Sequence, residues 1–429
     1  MSRLVTYTAL ASGITLLAGS LVFSLPQQFT ASIDDPAIGY STRPVNDPVA
    51  GLNRRIEEKQ VELSFGGPSG YLRSVLGALN ISVASQVLVF SETSLQAAHI
   101  TKTNPRALFF NDSVAVGWVP GTNTLELAAQ DPEQGIIFYQ IAQTPQEKPR
   151  FERETECLQC HIGSFTGNVP GWTVMSMLPL SDDPNEYAQG WGVDHRTPLE
   201  DRWGGWYVTA KQAPNRHLGN VPVYHVPKSY VRAAVTPKLE SVSGEFDATR
   251  YLSPYSDVVA HLVLNHQVGM ADLVIQLGWE ARIAARAAPG RTAELPDKVR
   301  DLANQLVDYL LFVDEAPLPS KVEGSSGFAR EFSARGPRDS RGRSLRDLDL
   351  EQHLFRYPCS YMIYTAAFDA LPDPAKAAVY QRMWEILSGK ETKKDYITRL
   401  SSADRKAVVE ILRETKKGLP DYFQPGEVR

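Results

Sequence analysis

Two hydrophobic rhythms divide this chain. Between residues 86 and 142 the apolar positions come in short β-rich runs: Gln86–Ser91, Ala107–Phe110, Ser113–Val119, Thr124–Ala129 and Gly135–Ala142. Asn111-Asp112, Pro120-Gly121 and Asp131-Pro132 supply turns between them, so the pattern predicts an antiparallel, partly open β unit. From Asp257 the period changes. Val259, Leu262, Val263, His266, Met270, Leu273, Val274 and Leu277 recur at helical spacing, with Ser256 or Asp257 as cap behind Pro254. Further helices are expected over Asp297–Val313, Pro358–Ala370, Pro374–Leu387 and Ala403–Thr415, the last stopped by Gly418-Leu419-Pro420. Pro48–Lys59, capped by Asp47, and Gly70–Leu79 read as short helices. Residues 315–346, rich in Gly, Ser, Pro and Arg, read as a long loop. Its Arg run, from Arg330 to Arg346, is expected to be solvated and mobile, with a docking face for an acidic partner or lipid as the alternative.

The N-terminus follows neither rhythm. After Met1-Ser2-Arg3 the chain is uncharged to Ile33, with an apolar core from Leu4 to Leu25. That length can span a bilayer, and it exceeds an ordinary signal core. Arg3 on one side and Asp34 and Asp35 on the other put the body of the protein outside the cytoplasm. An anchor is therefore expected, with cleavage after Val22-Phe23-Ser24 as the alternative. Composition adds little: net charge is −5 over 429 residues, with no basic excess of the kind that binds nucleic acid.

The cysteines change the picture. There are three, and two of them form Cys157-Leu158-Gln159-Cys160-His161. C-x-x-C-H is the spacing for covalent attachment of one haem c. Cys157 and Cys160 would form the thioether links, and His161 would supply an axial nitrogen. A redox dithiol or half of a zinc site are the alternatives. Zinc would need a second ligand pair, and Cys359 stands alone. There is no second C-x-x-C-H, which speaks against two-haem peroxidases and multi-haem conduits. No Ser-His-Asp spacing or phosphate loop stands out.

Distal iron ligand candidates are His217, Met177 and His266, with Met175, His195 and His225 also nearby in sequence. A Met in a strand is more often core, and a His on an apolar helical stripe is more often a hydrogen-bonded core residue. His261 falls off the helical stripe and is expected to be solvated. Trp203 and Trp206, around Gly204-Gly205, are candidates for a haem pocket wall, and Arg202 and Arg216 for pairing with haem propionates.

The motif Cys157-x-x-Cys160-His161 resembles the bacterial cytochrome c domain superfamily. More of the chain resembles an uncharacterised family of large exported bacterial single-haem proteins, through Asn104–Asn111, Arg202–Thr209, Arg216–Asn220, Ser253–Gln267 and Tyr357–Tyr364. The resemblance implies an exported haem c protein with roles for Cys157, Cys160 and His161, and it implies no substrate. Small cytochromes c are helical and carry the motif near their start, whereas 156 residues precede it here.

Together these readings predict an α+β fold. Residues 1–33 form a signal or anchor, 34–150 a β-rich unit, 151–250 the haem-binding segment and 251–429 a helical region. The expected function is electron transfer through one haem c in the periplasm, at the outer face of the cytoplasmic membrane, with an unidentified redox partner protein. The alternatives are a haem c oxidoreductase with an open or displaceable sixth ligand, and a redox- or gas-sensing subunit of a membrane complex.

Overall fold

A computed structural model describes residues 33–177, 190–221, 236–288 and 295–424. The apolar segment 4–25 and His225 lie outside these residues. The architecture is α+β, as the two rhythms predict.

Helices α1 (Pro48–Glu57) and α2 (Leu72–Ala78) precede the sheet, and Asp47 caps α1 through the N–H groups of Val49 and Ala50. Strands β1 (Val87–Val89), β2 (Arg106–Phe110), β3 (Val114–Trp118), β4 (Thr124–Asp131), β5 (Gly135–Ala142) and β6 (Glu152–Arg153) follow. Residues 158–161 form the single turn α3 (Leu158–His161). Strands β7 (Met175–Met177) and β8 (Gly190–Gly192) make a separate hairpin. Strand β9 (Trp206–Tyr207) returns to the main sheet, whose order is β6-β5-β4-β3-β2-β1-β9, antiparallel throughout. Both edges of this sheet thus come from residues after 150, which ties the motif segment to the β unit.

The helical half is built on α4 (Val258–Ala287), capped by Asp257. This helix is apolar and long enough to cross a membrane by composition, yet 89% of its most apolar window is buried inside the protein. A helix that is apolar all round is a core helix, and α5 (Asp297–Leu310) packs along it. Short helices α6 (Phe328–Ala334) and α7 (Ala366–Asp369) follow, then α8 (Asp373–Leu387), α9 (Lys394–Arg399) and α10 (Ser402–Thr415).

Three expectations need correction. His261 is fully buried rather than solvated, because α4 has no solvent face at that level. Residues 358–370 are not one helix. Ser360 caps a 3-10 turn over Tyr361–Tyr364, and Thr365 then caps α7, so two caps interrupt what the spacing alone would continue. The stretch 315–346 is not a free loop either. Besides α6, its Arg343 pairs with Asp339 and Glu410, and the buried Arg346 pairs with Asp112 while lying over the rings of Phe332 and Tyr361.

Candidate functional site

The turn carrying the two cysteines hangs from strand β5. Before it, Glu154 donates its N–H to Phe138 carbonyl, and after it, Ile136 donates to Pro170 carbonyl at 3.0 Å. The N–H of His161 closes the turn on the carbonyl of Cys157 at 3.0 Å. Positions three apart share one face of such a turn, so Cys157 and Cys160 are neighbours. Leu158 is buried and anchors the turn, while Cys160 is exposed and Cys157 half-buried. All three cysteines are free thiols.

His161 is oriented by its own loop. Its Nδ1 lies 3.0 Å from the carbonyl of Gly171. A carbonyl only accepts, so Nδ1 carries the proton and Nε2 keeps its lone pair. This is the tautomer a metal-binding histidine needs, fixed by the partner of its other nitrogen. The ring packs on Phe138 with centroids 4.7 Å apart. Desolvation lowers the imidazole pKa to about 4, with the Gly171 bond opposing, so the ring is neutral at ordinary pH. An Arg106–Glu126 ion pair, reaching from β2 to β4 across Gly117 of β3, contributes to the local field.

The same details weigh against the other uses of C-x-x-C. Burial, then Glu126 and Glu154, push the Cys157 thiol up to about 12, the reverse of the lowered pKa of a reactive dithiol. Among the described residues no group of three or more His, Cys, Asp or Glu is placed to hold a metal ion, so no zinc site is completed around the pair. The donor set present, two adjacent thiols and a neutral imidazole with an available nitrogen, fits haem c. Phe165, four residues past His161, is an exposed large apolar side chain.

No family profile, curated protein or solved structure matches the chain.

The distal candidates are held by contacts of their own. His217 is buried against Trp203, and its Nδ1 accepts the N–H of Gly219 at 3.1 Å. Its proton therefore sits on Nε2, the opposite tautomer to His161. His266 has both nitrogens engaged, Nδ1 with His195 Nδ1 at 2.7 Å and Nε2 with Ser360 Oγ at 2.7 Å. Its ring lies among Tyr309, Phe312 and Phe355. Met177 is buried in β7, where its sulfur packs on Gly190: a Cβ there would lie 2.2 Å from Sδ. Met175 is half-buried in the same strand.

The aromatic stretch is core. Trp203 is fully buried, with φ +71 and its indole N–H on Asn265 Oδ1 at 2.9 Å. Trp206 donates to the carbonyl of Met175. Gly204 is required here, because a Cβ would lie 2.1 Å from the carbonyl oxygen of Met177. Arg202 is buried and spends its guanidinium on the carbonyls of Thr197 and His195, which makes it a brace for this loop. Arg216 is exposed.

Sequence reasoning missed Gly171, Phe138 and Asp272. Gly171 shows no signal, since any residue offers a carbonyl. Asp272 does: it is the only Asp, Glu, Lys or Arg between Val258 and Trp279, a lone charge inside a core helix.

Proposed function

We propose that this chain is an electron-transfer protein carrying one covalent haem c, held in the periplasm at the outer face of the cytoplasmic membrane. The observation that carries the reading is the hydrogen bond from His161 Nδ1 to Gly171 carbonyl, which leaves Nε2 available beside two free thiols. Bound haem would supply a one-electron couple. Cys157 and Cys160 would hold it by thioether links, and His161 would ligate the iron. Gly171 fixes the plane and tautomer of His161, and Phe138 limits ring rotation. The membrane location rests on residues 4–25.

A second reading has its own support. The ring nitrogens of His217 and His266 are committed or protonated, which favours an open or displaceable sixth ligand and hence an oxidoreductase or gas-binding role. Protein made with haem c maturation machinery separates the two. Electron transfer predicts a reversible one-electron titration and a reduced spectrum indifferent to carbon monoxide. A high-spin spectrum with rapid carbon monoxide binding would replace it with the second reading.

A further inference from the structure

The peptide unit joining Gly171 to Trp172 is gripped from both sides. Its carbonyl accepts from His161 Nδ1 at 3.0 Å, and its N–H donates to Oδ1 of Asp272 at 3.0 Å. A second bond, from the N–H of Gly171 to the carbonyl of His161 at 3.0 Å, holds the two residues face to face. Asp272 comes from α4, is 4% exposed, and has this N–H as its one hydrogen bond among the described residues. A Cβ on Gly171 would lie 2.4 Å from Asp272 Oδ1 and 2.8 Å from Thr166 Cβ. Only glycine lets the carboxyl group approach the backbone so closely.

Burying an acid with a single hydrogen bond costs stability. Its neighbours one turn away on α4 are Val268, Gly269, Ile275 and Gln276, none of them charged. Its bond ties α4 to the peptide beside His161.

We propose that Asp272 is a positioning residue that acts through the 171–172 peptide to strengthen His161 as an iron ligand and so hold the reduction potential down. The inference rests on the haem c reading. An acceptor on the N–H side of an amide makes its carbonyl the stronger acceptor, and hydrogen bonds in series reinforce one another, by roughly 10–30% per bond. A stronger pull on the Nδ1 proton makes Nε2 more basic, as second partners of ligating histidines do. A more basic ligand favours the ferric state over the ferrous. The electron comes from the redox partner, and no bond in this chain forms or breaks.

Asp272→Ala tests this. It removes the oxygen that accepts from the N–H of Trp172. The variant should retain covalent haem, and its potential should rise by about tenfold in the oxidised-to-reduced equilibrium, about 59 mV for one electron. The proton resonance of His161 Nδ1 should move upfield. Asp272→Val, which also removes the acceptor, should shift the potential in the same direction where the Ala variant accumulates poorly. Covalent haem with an unchanged potential in these variants would overturn the role of Asp272 alone. Wild-type protein without covalent haem would remove the haem reading, and this inference with it.

Discussion

Two groups of histidines in this protein have opposite surroundings. His161 sits on a single surface turn beside an exposed cysteine, with one ring nitrogen bonded to a carbonyl and the other available. His195, His217, His261 and His266 are buried within the fold, near α4 and the Trp203 loop. His195 and His266 bond each other, and His261 Nε2 reaches the carbonyl of Tyr207 at 2.9 Å. The lesson is that histidine count and sequence proximity say little about ligation. What separates a ligand from a core histidine is which nitrogen is committed and whether space lies beyond the other.

The contrast is broken most severely at the turn itself. Replacing Cys157 and Cys160 together by Ala should abolish covalent haem, read as loss of the haem band on a denaturing gel. Haem that stays attached would mean the motif is not the site. On the other side, His266→Ala should leave haem attachment intact while destabilising the fold by about 3 kcal/mol, through a cavity and an unpaired His195 nitrogen. Urea unfolding measures this, and a changed haem spectrum with unchanged stability would reverse the assignment.

Acid should act on the desolvated histidines of both groups alike. Desolvation lowers His261 to about 3 and His217 to about 4 in the folded state, against about 6.5 unfolded. Between those values the unfolded chain binds more protons. Their stabilising effect is complete above pH 6.5 and is lost as pH falls toward 3–4, at up to about 1.4 kcal/mol per pH unit for each histidine. Asp272, raised by desolvation, acts in the opposite sense: its effect favours folding at low pH and weakens as pH rises above about 3.8. Asp47 and Asp308 are raised in the same way, but the five lowered histidines, His161, His195, His217, His261 and His266, outnumber these three acids, so urea midpoints should fall from pH 7 to pH 5. A flat profile would contradict the buried neutral assignment.

The smallest effect is expected at Met177. Met177→Leu conserves volume and should cost under about 1.5 kcal/mol, with the visible spectrum unchanged. Loss of a low-spin signature would make Met177 a ligand after all.

Much of the fold was legible beforehand because local signals agreed with the tertiary ones. Turn pairs such as Asn111-Asp112 and Pro120-Gly121 separate observed strands, and Asp257 caps the helix its position predicted. The end of that helix was not legible. It runs through Gly278 to Ala287, past the last strongly apolar positions, and other elements bury much of its length. His261 was misjudged for a related reason: a stripe implies a solvent face, and a core helix has none. At the site, the cysteines and His161 are marked by spacing. The peptide 171–172 and Asp272 are joined to them only by folding, 100 residues apart.

Peptide mapping by mass spectrometry of protein matured with the haem c machinery tests the central claim most directly. One haem per chain on the peptide containing Cys157 and Cys160 is the expected result. Two unmodified thiols on that peptide would contradict the account.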